Sequence, residues 1–126
     1  MKREDLLSRE IVSAAIEVHR HTGPGLLESV YEECLYRELS ERNIACQRQV
    51  KLPVRYKGRR LDCGYRLDLV VDRLVILELK AVSRLEPVNH AQLLTYLRLS
   101  GIRLGFLLNF NVLLMKDGIR RVVNNL

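Results

Sequence analysis

The sequence predicts an α/β fold in one domain, residues 1–126, with a mixed β-sheet flanked by helices. Three observations carry this. The N-terminal part repeats its apolar residues at helical spacing, the stretch from Cys46 alternates with a period of two, and an apolar run bounded by turn residues follows one more helical segment.

Leu7, Ile11, Ala14, Ala15 and Val18 define an amphipathic helix from about residue 5 to 21, which stops at Gly23-Pro24-Gly25. Leu27, Val30, Tyr31, Cys34, Leu35 and Leu39 form the stripe of a second helix, ended by Glu41-Arg42-Asn43. Val50, Leu52, Val54 and Tyr56 then alternate with polar residues or Pro, as in a half-buried strand. Lys57-Gly58-Arg59-Arg60 reads as a basic turn. Strands around Tyr65–Val71 and Leu74–Lys80 follow, joined near Asp72-Arg73, and short links imply an antiparallel meander. Glu86-Pro87 opens a third helix, with Pro tolerated in the first turn, and Gly101 ends it. Ile102–Phe110 suits a strand buried on both faces. Val112–Met115 and Ile119–Val123 flank Lys116-Asp117-Gly118, which predicts a C-terminal hairpin.

Nearly half of the 126 residues are hydrophobic and only three are Pro, so a packed core is expected. A chain of this length buries about two thirds of the surface it exposes unfolded. The formal charge of +6 suits a polyanionic partner without requiring one. Three scattered cysteines, Cys34, Cys46 and Cys63, form no CxxC pair and read as buried, reduced thiols. His19 and His21 point apart on a helix, so they do not share an ion, and one or both read as solvent-facing. There is no signal-peptide run and no apolar stretch of membrane-spanning length, so a soluble cytoplasmic protein with no membrane partner is expected.

The chemistry concentrates in Tyr65–Val71 and Val75–Lys80. Acids are uncommon in strands and rarely buried without partners, so Asp68, Glu78 and Lys80 within apolar strands need a reason. Glu78 and Lys80, two apart, share a face. A three-residue loop pairing Val71 with Val75 would bring Asp68 opposite Glu78; a two-residue loop would put the acids on opposite faces. Opposed carboxylates repel unless a cation lies between them, and a hard ion such as Mg²⁺ would serve. The other reading of these strand residues is a structural charge cluster in which Asp68 and Glu78 pair with Arg66 and Lys80. Glu28 opens the second helix, where a carboxylate is also favourable on dipole grounds. Gln92 and Tyr96 are four apart on one face of the third helix.

In order, Glu28 in a helix, Asp68 in a strand, Glu78-Leu79-Lys80 in the next and Gln92–Tyr96 in a helix resemble the RecB-like branch of the PD-(D/E)XK nuclease superfamily, with its restriction-endonuclease-like fold. Gly25, Glu28 and Tyr31 are similar to the signature of the GxxExxY family. Gly23-Pro24-Gly25, His90-Ala91-Gln92 and Leu107-Leu108-Asn109-Phe110 extend the resemblance over nearly the whole chain. It implies that Glu28, Asp68, Glu78 and the Leu79 carbonyl bind Mg²⁺ or Mn²⁺. Lys80 would then orient the attacking water and offset transition-state charge, Gln92 would order water or phosphate, and Tyr96 would pack at the site. Leu67 replaces the proline of the superfamily's name, and Gly64 precedes Asp68 by one residue more than is common.

Arg55, Lys57, Arg59 and Arg60 surround a hairpin turn and could reach phosphates, or serve as solubilising edge charges. The expected function is metal-dependent cleavage of DNA or RNA. The rivals are a nuclease-fold domain that binds nucleic acid or protein without cutting, and a purely structural charge cluster. A homodimer would suit an enzyme that cuts both strands.

Overall fold

The computed structural model of the chain describes residues 2–126. The elements are α1 (Arg3–Thr22), α2 (Glu28–Glu41), β1 (Cys46–Tyr56), β2 (Arg59–Val71), β3 (Val75–Lys80), α3 (Pro87–Ser100), β4 (Leu104–Asn109), a 3₁₀ turn (Met115–Gly118) and β5 (Ile119–Val123). The strands form one five-stranded sheet in sequence order. β1, β2 and β3 pair antiparallel, β3 and β4 run parallel, and β5 pairs antiparallel with β4. The single parallel pair follows from α3, whose length allows the chain to cross back over the sheet. This is the mixed α/β sheet the sequence predicts.

Two cores sandwich the sheet. Leu7, Ile11, Leu35 and Leu39 from α1 and α2 pack with Leu69, Leu77 and Leu79 on one face. Leu93, Tyr96 and Leu97 of α3 pack with Leu67, Ile76 and Leu107 on the other. Every residue of β4 is buried, as expected of a strand covered on both faces.

The turn between β2 and β3 is the three-residue one. Val71 pairs with Val75, and both Asp72 and Arg73 take positive φ, at 51° and 58°. Farther along β2 the strand is irregular. Leu67 and Leu69 would share a face in a regular strand, yet Leu69 packs with α1 and α2 while Leu67 packs with α3. The rotation occurs at Asp68 and the facing Gln49, whose φ is 50°; the ladder skips this pair. A non-glycine residue held there stores roughly 1–3 kcal/mol of strain.

Tyr31 fixes the approach to α2. It is fully buried and stacks on Phe110 with ring centroids 4.6 Å apart. Its hydroxyl donates to the Gly23 carbonyl at 2.7 Å and accepts from the Leu26 N–H at 3.1 Å. The Gly23-Pro24-Gly25 breaker is therefore a pinned loop, with φ of 67° and 96° at its two glycines, and it delivers Glu28 to the first position of α2.

The predicted C-terminal hairpin is corrected. Residues 111–114 are bends rather than a strand, and Ile119–Val123 pairs with β4 instead. The buried β4 has β3 on one side only, and unpaired backbone groups at its other edge would be left without partners. β5 satisfies them. Gly118 permits the return, since a Cβ there would meet the Asn109 carbonyl oxygen. Leu113 and Leu114 are left exposed. His21 is solvent-facing, but His19 is buried, with Nε2 2.8 Å from the Val112 carbonyl oxygen. Cys34 and Cys46 are half-buried, whereas Cys63, expected inside, is exposed because it lies on the far part of β2 beyond either core.

Tyr31→Phe keeps the stack and removes both hydrogen bonds, so urea denaturation should report a loss of about 1–3 kcal/mol of stability. An unchanged midpoint would mean that the loop is not held by this hydroxyl.

Candidate active site

The rotation at Asp68 ends the β2–β3 ladder one pair early. The last backbone pair is Leu69 with Leu77, and the next positions are Asp68 and Glu78. There the side chains take over. The Asp68 N–H donates to Glu78 Oε2 at 2.9 Å, and the Leu79 N–H donates to Asp68 Oδ2 at 2.8 Å. Each carboxylate thus spends one oxygen on backbone and keeps the other. The N–H and C=O of a strand residue point to the same edge, so the Leu79 carbonyl also faces β2.

Crowding two acids into this splay has electrostatic consequences. Burial, reinforced by the neighbouring Asp68 charge, pushes the Glu78 carboxyl up to about 8. Burial also raises Asp68 above its ordinary value, against the lowering effect of the Leu79 N–H. Glu28 is raised as well, first by burial and then by Asp68. Lys80 is half-buried and makes no ion pair among the described residues, but its charge eases all three acids. The paired acid–base cluster, with Arg66 and Lys80 as ion-pair partners, is not formed.

The predicted residues divide by position. Asp68, Glu78, Leu79 and Lys80 come together. Glu28 stands at the rim, exposed at the head of α2 and coupled to Asp68 and Lys80 by charge. Tyr96 is buried beside them; burial, then the Glu78 charge, pushes its hydroxyl up to about 12, so it stays a neutral donor. Gln92, one turn earlier on α3, is exposed. Arg55, Lys57, Arg59 and Arg60 are exposed at the far end of the β1–β2 arm. At ~3.3 Å per residue they lie on the order of 20 Å from Asp68.

Two supporting residues escaped sequence reasoning, and a third, Asn109, entered it only within the run Leu107–Phe110. Glu32, one turn after Glu28 and buried, accepts from Gln49 Nε2 at 2.7 Å and from Arg48 at 3.1 Å. Gln49 stands opposite Asp68 at the position the β1–β2 ladder skips, so its bond to Glu32 ties α2 to this point of the sheet. Asn109, paired with Lys80, accepts from the Val82 N–H and donates to the Val82 carbonyl, which anchors the chain as it leaves β3. An Asn inside the run Leu107–Phe110 was a readable signal; the other two had none.

Among the described residues, no three Asp, Glu, His or Cys side chains converge closely enough to enclose an ion by themselves. The donor set nonetheless fits a hard cation. Mg²⁺ is commonly held by one or two carboxylates and keeps several waters, and two mutually repelling carboxylates with free oxygens answer that description.

The family model of the PD-(D/E)XK nuclease superfamily matches residues 5–122, and the chain belongs to that superfamily. No curated protein and no solved structure matches it.

A raised Glu78 links stability to pH. Between its ordinary value of 4.5 and about 8, the folded state holds a proton that the unfolded state has released. Metal-free protein should therefore lose stability as pH rises through this window, by about 1.4 kcal/mol per pH unit at most. Glu78→Gln should flatten the melting-temperature profile; equal slopes in both proteins would rule out a raised Glu78.

Proposed function

We propose that the chain is a divalent-metal-dependent phosphodiesterase of the RecB-like branch and the GxxExxY family, acting on DNA or RNA. The observation that carries this reading is the reciprocal Asp68–Glu78 arrangement. A half-buried Asp68 and a buried Glu78 point into one splay with Lys80 alongside, and among the described residues no cation forms an ion pair with either. A purely structural cluster could accept the same two N–H groups with neutral Asn and Gln side chains and would not need that repulsion.

Asp68, Glu78 and the Leu79 carbonyl would hold Mg²⁺ or Mn²⁺, with Glu28 closing the site from α2. When bound, such an ion supplies Lewis acidity toward a phosphoryl oxygen and lowers the pKa of a coordinated water. The chain's own residues do the rest. Lys80 orients the attacking water and offsets negative charge as it grows on the phosphate oxygens, where a fixed charge in a partly dry site is most effective. Tyr96 offers its hydroxyl as a donor, and Gln92, on the same face of α3, orders water at the phosphate. The Tyr31-pinned loop keeps Glu28 at the helix start, which supports the GxxExxY assignment on Gly25, Glu28 and Tyr31.

Purified protein mixed with single- and double-stranded DNA and RNA should cut in Mg²⁺ or Mn²⁺ and not in EDTA. Asp68→Ala should abolish cutting, and Lys80→Ala should slow it by roughly 10²–10³-fold. Cleavage that survives both substitutions, or persists in EDTA, would overturn the reading.

A further inference from the structure

The β1–β2 arm extends well past the point where β2 leaves β3, and it carries a second polar feature. Pro53 pairs with Gly64 and Arg55 with Arg60, so Leu61, Asp62 and Cys63 bulge out opposite Val54 alone. Gly64 takes the closest approach at this bulge, where a Cβ would lie 2.7 Å from the Leu52 carbonyl oxygen. The bulge hollows a cavity of about 330 Å³ whose walls include Lys51, Arg60, Arg66, Tyr65 and Cys63, with Asp62 as the one acid.

The charges around it are arranged unfavourably for an isolated sheet. Lys51 lies directly opposite Arg66, and Arg55 directly opposite Arg60. Like charges facing across a ladder destabilise it. Among the described residues none of these four cations forms an ion pair. Asp62 leaves the cavity net positive. Such a frame is relieved by an anion that carries its own charge between the two rows. Bulges of this kind also turn a strand locally and re-aim its side chains. Tyr65 ties the cavity to the acidic site, because its ring lies 5.0 Å from that of Tyr96, the residue beside Glu78.

We propose that the bulge cradle is a phosphate subsite for a nucleic-acid strand, with Lys51 and Arg66 holding a backbone phosphodiester that flanks the group at Asp68 and Glu78. This rests on the nuclease reading and specifies how its substrate is gripped. Arg55 and Arg60 extend the same track toward the tip of the arm. The contacts are to backbone, so they position the strand without selecting sequence.

The test is fluorescence anisotropy with a labelled single-stranded oligonucleotide over a range of salt, in EDTA so that no strand is cut. Lys51→Ala/Arg66→Ala should make the slope of log affinity against log salt shallower by roughly 1.4, at about 0.7 per lost contact on a single strand. Arg9→Ala/Arg37→Ala removes the same charge from α1 and α2 and should leave the slope near wild type. Lys51→Arg/Arg66→Lys should retain the wild-type slope, which separates lost contacts from a damaged arm. A second readout uses the native chain: the oligonucleotide should slow alkylation of the exposed Cys63, as read by peptide mass spectrometry, and inorganic phosphate at matched concentration should do so far less. Equal slopes for the arm and control variants, absence of binding, or no protection of Cys63 would overturn the proposal. Cys63 protection by free phosphate equal to that by the oligonucleotide would also overturn it. Binding that follows this pattern without any cleavage in Mg²⁺ or Mn²⁺ would leave the cradle standing and remove the enzyme reading alone.

Discussion

Where β2 parts from β3, two carboxylates do the work of backbone. The Asp68 N–H and the Leu79 N–H would be left unpaired by the early end of the ladder, and the Glu78 and Asp68 side chains accept them. Buried N–H groups without partners are costly, so these bonds make the splay tolerable. They also force two acids together inside the protein. The repulsion that results is the central electrostatic fact of the fold, and the phosphodiesterase reading is the proposal that gives it a use.

Much of the remaining structure serves to hold that splay open in one shape. Gln49, at positive φ, rotates the β1–β2 arm and reaches Glu32 on α2. Asn109 secures the exit of β3 through both polar groups of Val82. Tyr31 fixes the loop ahead of Glu28 while its ring stacks on Phe110, the residue that follows β4. Residues that look unrelated in sequence therefore bear on one point of the sheet. Rigid positioning of this kind is what a polar site needs, because small displacements of charged groups are expensive in a partly buried setting.

The elements and the acids were largely legible, because both depend on local rules. Two-residue alternation marked the strands, and a Glu-x-Lys inside an apolar strand could not be ordinary core. The register was legible only as a choice of two, since loop length decides it and both loops suited Asp72-Arg73. The C-terminal hairpin misled because Lys116-Asp117-Gly118 is good turn chemistry. The competing demand came from the open edge of β4, a long-range constraint that no local pattern carries. His19 and Glu32 were invisible for a similar reason. Each is polar on a helix, and only the packing of Val112 or Arg48 against it makes it interior. The kink at Gln49 has no sequence signature, since glutamine is not a residue that favours positive φ.

The account turns on whether Asp68 and Glu78 together receive a cation, and calorimetric titration of Mn²⁺ into the metal-free protein asks this directly. Wild type should show one saturable binding event accompanied by a rise in melting temperature, because a ligand that binds only the folded state stabilises it. Asp68→Asn/Glu78→Gln, which keeps the backbone hydrogen bonds but removes both charges, should lose the binding and the rise while melting no lower than metal-free wild type at neutral pH. Equal Mn²⁺ binding by the two proteins, or none by either, would contradict the claim that this pair of acids is a metal site.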